Sequence, residues 1–240
     1  MKPKMILFDY GQTLLSEETF DGVKGTEEVL KYATKNKQNM TAQEVQKLAN
    51  ELNDDIGRYD AKTSHLYQFE IHNFPFQKYL YEYAGIELSI SDFELEKVFW
   101  DYAAPGEATP NIEDLLEYLH KEGIRSGVIS NIACSGKALN ERINRLLPNN
   151  HFEFIIASSD YVFRKPHKRI FDIALLKAEL NAEEVWYCGD NILCDIEGAS
   201  KCGIAPVWYT GALQSKQPET KVDYLHISNW IELIDLLSIV

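Results

Sequence analysis

The stretch MILFDYGQT at residues 5–13 decides the fold class of this 240-residue chain. Four apolar residues, Met5 to Phe8, form a β-type run that stops at the carboxylate of Asp9, and Gly11 follows as a turn residue. We therefore predict a short strand that ends at a negative charge. Such a strand needs parallel partners, and the only candidates lie after residue 110.

Strand-like and helical patterns alternate in the second half of the chain. The strand-like runs are Ser126–Ser130, Phe152–Ser158, Val185–Asp190 and Ala205–Tyr209. The helical patterns are Asn111–His120, Lys137–Leu147, Arg169–Leu180 and Cys194–Cys202. This alternation predicts an α/β fold, a Rossmann-like and mostly parallel sheet with helices on both faces.

Residues 16–102 differ in character, because polar and aromatic residues dominate and apolar residues recur at helical spacing. That spacing is seen at Val45, Leu48, Leu52 and Ile56. Since the first strand must join strands that follow this block, the block must be an insertion. We predict an α/β catalytic core from residues 1–15 and 103–240, an all-helical cap domain over 16–102, and a hinge at Ala103–Pro110.

The composition narrows the classes of function. A hydrophobic fraction of 45% supports a buried core, and 24 Lys and Arg against 37 Asp and Glu give a net charge of −13 at pH 7. So acidic a chain lacks the basic surface that binds nucleic acid or anionic membranes, and neither is an expected partner. No apolar run approaches the roughly 20 residues of a membrane span, and the four cysteines lack paired spacing. We expect a soluble, cytoplasmic protein with reduced thiols, whose oligomeric state stays open.

Reactive residues stand where the predicted strands end. They are Asp9, Ser130-Asn131, Lys165-Pro166 in a loop before a helix, and Gly189-Asp190 with Asp195 shortly after. In an open parallel sheet, ligands bind beyond the carboxyl ends of the strands. Carboxylates, a hydroxyl and an ammonium at that edge predict a site for a dianion beside a divalent metal. The oxygens of Asp190 and Asp195 suit Mg²⁺.

These segments, in this order, resemble the signatures of the haloacid dehalogenase-like superfamily of hydrolases, and the resemblance covers the whole chain. The segments are DYGQT at 9–13, ISN at 129–131, KP at 165–166, and GDN at 189–191 followed by Asp195. The resemblance implies a Mg²⁺-dependent hydrolase of a small phosphorylated metabolite, with a helical cap inserted after the first signature. It also implies that Asp9 attacks phosphorus and forms an aspartyl-phosphate, which water then hydrolyses.

The resemblance assigns roles around the transferring phosphoryl group. Ser130 and the backbone around Asn131 are expected to donate hydrogen bonds to its oxygens, and Lys165 to neutralise its charge. Thr13 is expected to hold the turn after Asp9 through its hydroxyl and backbone, and Arg164 to be an ordinary exposed arginine.

The resemblance also implies a metal site. Its expected ligands are Asp9, the backbone carbonyl of Gly11, Asp190 and Asp195. For Asp195 a second role is open, because it can instead orient Lys165.

One position departs from the family pattern. Phosphatases of the family usually carry a second aspartate two positions after the nucleophile, as general acid and base, and here that position is Gly11. Without it, the leaving group loses help worth about 10²–10⁴ in rate. We therefore expect a slow phosphatase, or one selective for good leaving groups such as acyl and aryl phosphates, unless substrate, water or a cap residue supplies the proton.

Two other kinds of function stay open. The first is a catalytically degraded family member with a binding or regulatory role, which Gly11 motivates and the intact Asp9, Lys165 and Asp190 oppose. The second is a hydrolase of carbon–halogen or carbon–phosphorus bonds. The dehalogenase branch needs no metal and does not keep Gly189-Asp190, and the phosphonate branch needs a cap lysine. Lys24, Lys31 and Lys62 are available for that role, but nothing marks one of them.

The predicted cap holds eight aromatic residues between Tyr59 and Tyr83. Most are expected to pack a helical bundle and a minority to line the substrate cleft. Arg58 is one candidate for binding an anion, whereas His65 and His72 are expected to be surface or packing residues. Cys188 and Cys194 flank Asp190 and are interpreted as structural rather than redox-active.

Overall fold

The computed structural model describes residues 2–58 and 68–239. In this part of the chain, ten strands and ten α-helices are seen. The strands are β1 (Met5–Phe8), β2 (Leu15–Glu17), β3 (Ala33–Asn36), β4 (Ile86–Leu88), β5 (Gly106–Ala108), β6 (Arg125–Ser130), β7 (Ile155–Ala157), β8 (Val185–Gly189), β9 (Ala205–Tyr209) and β10 (Leu225–Ile227). The helices are α1 (Gly22–Leu30), α2 (Ala42–Ile56), α3 (Asn73–Tyr83), α4 (Asp92–Ala103), α5 (Ile112–Lys121), α6 (Gly136–Leu146), α7 (Ser158–Tyr161), α8 (Lys168–Ala178), α9 (Glu197–Lys201) and α10 (Trp230–Ile239).

Six strands form one sheet in the order β10-β9-β8-β1-β6-β7, and every neighbouring pair is parallel. Strand β1 lies inside this sheet, with Met5 level with Arg125 on one side and Val185 on the other. The predicted α/β class and the predicted late partners of the first strand are confirmed. Chain order reverses at β1, since β6 and β7 lie on one side and β8 to β10 on the other. Such a reversal leaves a crevice beyond the carboxyl ends of the strands.

Both faces of the sheet are covered, as the alternation of strand side chains requires. Ile6 and Phe8 point to a cluster packed by α5, α6 and α10, whereas Met5 and Leu7 point to a cluster packed by α8 and α9. All four side chains are fully buried. The first strand is therefore apolar without interruption because each of its faces is covered.

Residues 22–103 contain helices α1 to α4, which pack a separate apolar cluster that includes Val29, Val45, Leu80 and Leu95. The prediction that this block is all helical is wrong in one respect, because β3 and β4 form an antiparallel pair within it. Strands of three or four residues are too short to show an alternating pattern. A second short pair, β2 with β5, joins the two ends of the block.

Two further elements were not predicted, β10 and α10. The helical pattern predicted from Cys194 begins instead as a π-helical turn, Ile192–Ile196, which continues directly into α9. Within residues 2–58 and 68–239, every helix is too short or too polar to cross a lipid bilayer.

Trp230 anchors α10 to the sheet. Its ring is fully buried, stacks on Tyr209 at a centroid distance of 4.1 Å and meets Phe8 edge-on at 5.8 Å. Its Nε1 donates a hydrogen bond to Thr109 Oγ1 at 2.9 Å. We expect Trp230→Ala to lower the free energy of unfolding by about 3–5 kcal/mol, measured by urea denaturation followed by circular dichroism. The neighbouring Ile231 is 41% exposed, so Ile231→Ala is the control, and similar losses in both variants would contradict this packing role.

Candidate active site

Three predicted site residues meet at one edge of the sheet because their strands are parallel neighbours. Asp9 follows β1 directly, Asp190 follows β8, and Ser130 is the last residue of β6. Ser130 is 2% exposed, whereas Asp9 and Asp190 are half-buried. The site is thus formed at the carboxyl ends of the three central strands.

Lys165, in the loop before α8, contacts several groups at this edge of the sheet. Its ammonium is buried and donates to Asp9 Oδ1 at 2.6 Å, to Asp195 Oδ1 at 2.7 Å and to the Tyr187 hydroxyl at 2.7 Å. Tyr187 in turn donates to the carbonyl of Ile129 at 3.1 Å. A lysine ammonium has three donors, so all of them are used and the group is held in one orientation.

The loop that carries Lys165 is fixed by Asn131. The Asn131 side chain accepts from the Lys165 amide at 2.7 Å and donates to the Lys165 carbonyl at 2.8 Å. The second and third signature segments therefore bind each other through one amide side chain. This contact positions Lys165, and it was not part of the role predicted for Asn131.

Asp195 lies in the π-helical turn and is fully buried. Its Oδ1 accepts from Lys165, and its Oδ2 accepts from the Asn191 amide at 2.9 Å. A Cβ at Gly189 would lie 2.4 Å from the carboxyl carbon of Asp195, so any larger residue there would displace this carboxylate. Of the two roles predicted for Asp195, the geometry favours orienting Lys165.

Burial and mutual repulsion shape the charges of these groups. Burial raises the pKa of Asp9 to about 6, although the neighbouring Lys165 opposes the shift. Burial, together with the charges of Asp9 and Asp195, raises the pKa of Asp190 to about 8. Burial alone would lower the pKa of Lys165, but the charges of Asp195 and Asp9 raise it above its ordinary value. The ammonium is thus held charged, while the crowded carboxyl groups lose their last proton less readily until a cation compensates the negative charge.

The donor set fits a hard divalent cation. One oxygen from each of Asp9, Asp190 and Asp195 lies within 4.8 Å of the others. When all three carboxylates are ionised, they exceed the single positive charge of Lys165 by two negative charges in a place of low solvent access. Such an all-oxygen, doubly negative cluster suits Mg²⁺, which binds few carboxylates and keeps several waters.

The turn after Asp9 is held differently from the prediction. Thr13 is buried and its carbonyl accepts from Thr109 Oγ1 at 2.8 Å, but within residues 2–58 and 68–239 its own hydroxyl finds no hydrogen-bond partner. The main chain of Gly11 forms an isolated β-bridge with that of Leu15. The turn is therefore held through the backbone of Thr13, as half of the prediction states, and not through its hydroxyl.

The prediction that Arg164 is an exposed surface arginine is wrong. Its side chain is 22% exposed and contacts Glu70 Oε2 at 2.8 Å, and Arg58, the predicted candidate for binding an anion, contacts Glu70 Oε1 at 2.5 Å. Glu70 also accepts from the Ser158 hydroxyl at 2.9 Å. The anion next to Arg58 is thus the protein's own buried carboxylate. This cluster docks the segment before α3 onto the loops that surround Lys165.

The other described candidates make the following contacts outside the cluster of Asp9, Asp190 and Asp195. Lys24 and Lys31 are largely exposed and lie near Asp21 and Glu28, and His72 caps α3 by accepting from the Phe74 amide at 3.1 Å. Lys62, His65, Tyr59 and Tyr67 lie outside the described residues. Of the described aromatic residues between Tyr59 and Tyr83, Phe69, Tyr79 and Tyr83 are more than half exposed and Tyr81 is buried. Tyr81 and Phe76 belong to the apolar cluster of α1 to α4, so the expected packing role is seen for part of this set.

All four cysteines are free thiols. Burial raises the pKa of Cys194 to about 12, so the thiol next to the site stays protonated at neutral pH.

Two groups near the site were missed in the sequence. Tyr187 lies two residues before Gly189 on the same face of β8, a relation that strand alternation could have shown. Glu17 in β2 accepts from the Tyr10 hydroxyl at 2.9 Å, and no sequence signal marks it.

Comparison with known proteins agrees with this geometry. The profile of the haloacid dehalogenase-like hydrolase family matches residues 6–209, which includes every signature segment. The chain belongs to this family. Family membership accounts for the order of the strand-end residues along the chain.

The chain spans only part of the length of the curated relatives that it matches, about half in the first case below. A glyceraldehyde 3-phosphate phosphatase of Pyrococcus furiosus is 31% identical over 134 residues, 54% of this chain and 53% of that protein. A phosphoserine phosphatase of Thermus thermophilus is 32% identical over 74 residues, 31% of this chain and 30% of that protein. The sequence similarity to these two phosphatases therefore covers about half of their length or less.

Solved structures resemble the chain over nearly its whole length. The crystal structure of a haloacid dehalogenase-like (HAD) phosphatase from Thermococcus onnurineus has a TM-score of 0.66 at 21% identity and covers 99% of this chain and 98% of that chain. A 2-haloacid dehalogenase from Pseudomonas syringae also has a TM-score of 0.66, at 20% identity and 98% coverage of both chains. Since both phosphatase and dehalogenase share the fold, the fold does not choose the reaction.

Proposed function

We propose that this protein is a Mg²⁺-dependent phosphatase of a small phosphorylated metabolite in the cytoplasm, working through an aspartyl-phosphate on Asp9. The observation that carries the proposal is the contact of Lys165 with both Asp9 and Asp195, next to the carboxyl group of Asp190. A nucleophilic carboxylate held beside a fixed ammonium and further carboxylates suits transfer of a group that is itself dianionic.

The proposed roles follow from the contacts. Asp9 attacks phosphorus, and Lys165, already bonded to Asp9, balances the charge shared between the carboxylate and the phosphoryl group. Asp195 orients Lys165, and Ser130 with the backbone at Asn131 binds phosphoryl oxygens at the end of β6. Asp9, Asp190 and the carbonyl of Gly11 would hold Mg²⁺, which draws negative charge from the phosphoryl oxygens when bound.

We propose further that residues 16–102 act as a cap over this edge. The helices of this block pack their own cluster, and the Glu70 contacts with Arg164 and Ser158 place its segment 68–73 against the loops of the site. A cap of this kind excludes bulk water and limits the size of the substrate. A small metabolite therefore fits the site better than a macromolecule.

A panel of phosphorylated metabolites tests the proposed function. It includes glyceraldehyde 3-phosphate and phosphoserine, after the names of the relatives, with acetyl phosphate and p-nitrophenyl phosphate. Release of inorganic phosphate is measured with and without Mg²⁺. Turnover of at least one member is expected, and turnover of none would overturn the proposal.

Chelation is expected to stop turnover. Because three carboxylates share one ammonium, a metal-free site repels a dianionic substrate, and removing Mg²⁺ with EDTA should lower kcat at least about 100-fold. Adding excess Mg²⁺ back should restore the rate. Activity that persists in EDTA would contradict the metal role.

The alternatives give different results in the same assay. Metal-independent halide release from 2-haloacids would indicate a dehalogenase. A degraded binding protein would bind Mg²⁺ and phosphate without turnover, and Gly11→Asp would then raise the phosphatase rate from near zero. Retention of the Asp9, Lys165 and Asp190 cluster favours the phosphatase.

A further inference from the structure

Hydrolysis of an alkyl phosphate requires a proton donor that the described contacts of the carboxylate cluster do not supply. When the bond from phosphorus to oxygen breaks, the leaving alkoxide must be protonated, and the water that later attacks must lose a proton. Lys165 donates its three hydrogen bonds to Asp9, Asp195 and Tyr187. Both oxygens of Asp195 accept from protein groups. A further acidic residue near the leaving group would supply this proton.

The residue nearest to the open space beside Gly11 is a candidate for this proton donor. Gly11 lies two residues beyond Asp9. Among residues 2–58 and 68–239, apart from its chain neighbours, a Cβ built there would meet only Glu17 Oε2 within 4 Å, at 3.9 Å. A carboxylate oxygen lies about 2.4 Å from the Cβ of an aspartate, by standard bond lengths. Glu17 thus brings an oxygen close to the volume that an acidic side chain at position 11 would fill.

Contacts on one side hold the Glu17 carboxylate in place. Its Oε1 accepts from the Tyr10 hydroxyl at 2.9 Å, from Trp100 Nε1 at 2.9 Å and from an Arg142 amino group at 3.3 Å. Its main-chain carbonyl accepts from Gln214 at 2.6 Å. In the part of the chain that the structure describes, these donors reach Oε1 alone, which leaves Oε2 available for a proton.

Glu17 is also reachable by a small molecule. Its side chain is 19% exposed and lines a cavity of about 1000 Å³ between β2, β5 and the start of α1. Glu18, Asp21, Glu107 and Lys24 also line this cavity, so its wall is polar and mostly acidic. A leaving group rich in hydroxyls would suit such a wall better than a second phosphate.

We infer that Glu17 is the general acid and base of this site, an inference that rests on the proposed phosphatase function. As Asp9 forms its bond to phosphorus, the bond to the leaving oxygen breaks and that oxygen takes the proton of Glu17 Oε2, giving the alcohol. The Glu17 carboxylate then takes a proton from the attacking water, whose oxygen bonds to phosphorus as the bond to Asp9 breaks. Inorganic phosphate, the Asp9 carboxylate and protonated Glu17 result.

The environment of Glu17 supports this role. Burial raises its pKa above the ordinary value, although Arg142 opposes the shift, and this keeps the protonated form accessible nearer to neutral pH. The inference also replaces the expectation drawn from Gly11 alone. Alkyl phosphates become good substrates of the natural protein, and selectivity for good leaving groups appears only when Glu17 is lost.

The decisive variant is Glu17→Gln, compared with Glu113→Gln, an exposed residue on α5 with the same change of charge. Both are assayed with the best alkyl phosphate of the panel and with p-nitrophenyl phosphate. Glu17→Gln should lower kcat/KM for the alkyl ester about 100-fold and for the aryl ester less than about fivefold. Glu113→Gln should change neither by more than about twofold. Equal losses for both esters in Glu17→Gln would overturn the inference, because a structural role does not depend on the leaving group.

Two further measurements test the inference, the first of them even if Glu17→Gln fails to fold or is damaged in structure. In the natural protein, log kcat/KM should vary little with the pKa of the leaving group, and a steep decline towards alkyl esters would overturn the inference. Adding Gly11→Asp to Glu17→Gln should raise the activity on the alkyl ester at least about tenfold above that of Glu17→Gln. No increase would contradict the inference. A natural protein inactive on every phosphate would overturn the proposed function itself, which distinguishes the two failures.

Discussion

Replacing Asp9 by asparagine is expected to lower kcat for every phosphate ester by about 10⁴-fold or more. The amide keeps the shape and accepts a hydrogen bond from Lys165, but it cannot form the aspartyl-phosphate. The fold should survive, because the change removes one of three carboxylates that share a single ammonium. Phosphate release at saturating substrate and Mg²⁺ measures the loss, and thermal unfolding checks the fold.

The covalent step can be tested separately from the overall rate. Protein quenched in acid during turnover should carry labelled phosphate, and the label should be absent from Asp9→Asn. Fluoroberyllate, a mimic of the phosphoryl group, should bind the natural protein and not the variant. Asp114→Asn, an exposed change on α5, is the matched control. Retention of more than about a tenth of the natural rate in Asp9→Asn would contradict the role of the nucleophile.

Much of the fold could be predicted because one strand constrained the rest. An apolar run that ends at Asp9 must be buried between other strands, and the only βα series lies after residue 110. Strand β9 has the bounds predicted for it, and β6 differs by one residue. The β3 and β4 pair was missed because Ala33–Asn36 is mostly polar and half exposed or more, so no buried face is marked in its sequence.

The site could be predicted to the extent that it lies on strand ends. Asp9 and Asp190 meet because parallel strands align their carboxyl ends, a rule that needs no side-chain detail. Glu17 and Tyr187 were missed because their part in the site depends on how side chains cross between elements. Arg164 was misread for the same reason, since its partner Glu70 lies 94 positions away in the chain.

Replacing Lys165 by methionine is expected to lower kcat at least about 10³-fold and to lower the free energy of unfolding by about 3–5 kcal/mol. Lys165 is 2% exposed, and its ammonium is bonded to Asp9, Asp195 and Tyr187, so its loss leaves buried carboxylates without their counter-charge. Methionine fills a similar volume, so the effect reports charge more than packing. Urea denaturation without metal measures stability, and phosphate release measures the rate.

Mg²⁺ binding separates this charge effect from general damage to the site. When its three carboxylates are ionised, as Mg²⁺ binding requires, the cluster with its one ammonium carries an excess of two negative charges, and Lys165→Met raises that excess to three. The variant should therefore bind Mg²⁺ more tightly than the natural protein in calorimetric titration, and added Mg²⁺ should restore part of its stability. Asp190→Asn is the matched opposite, because it removes a ligand and should weaken Mg²⁺ binding. Weaker binding in Lys165→Met would show that the lysine shapes the cluster mainly through packing, and the proposed electrostatic role would fail.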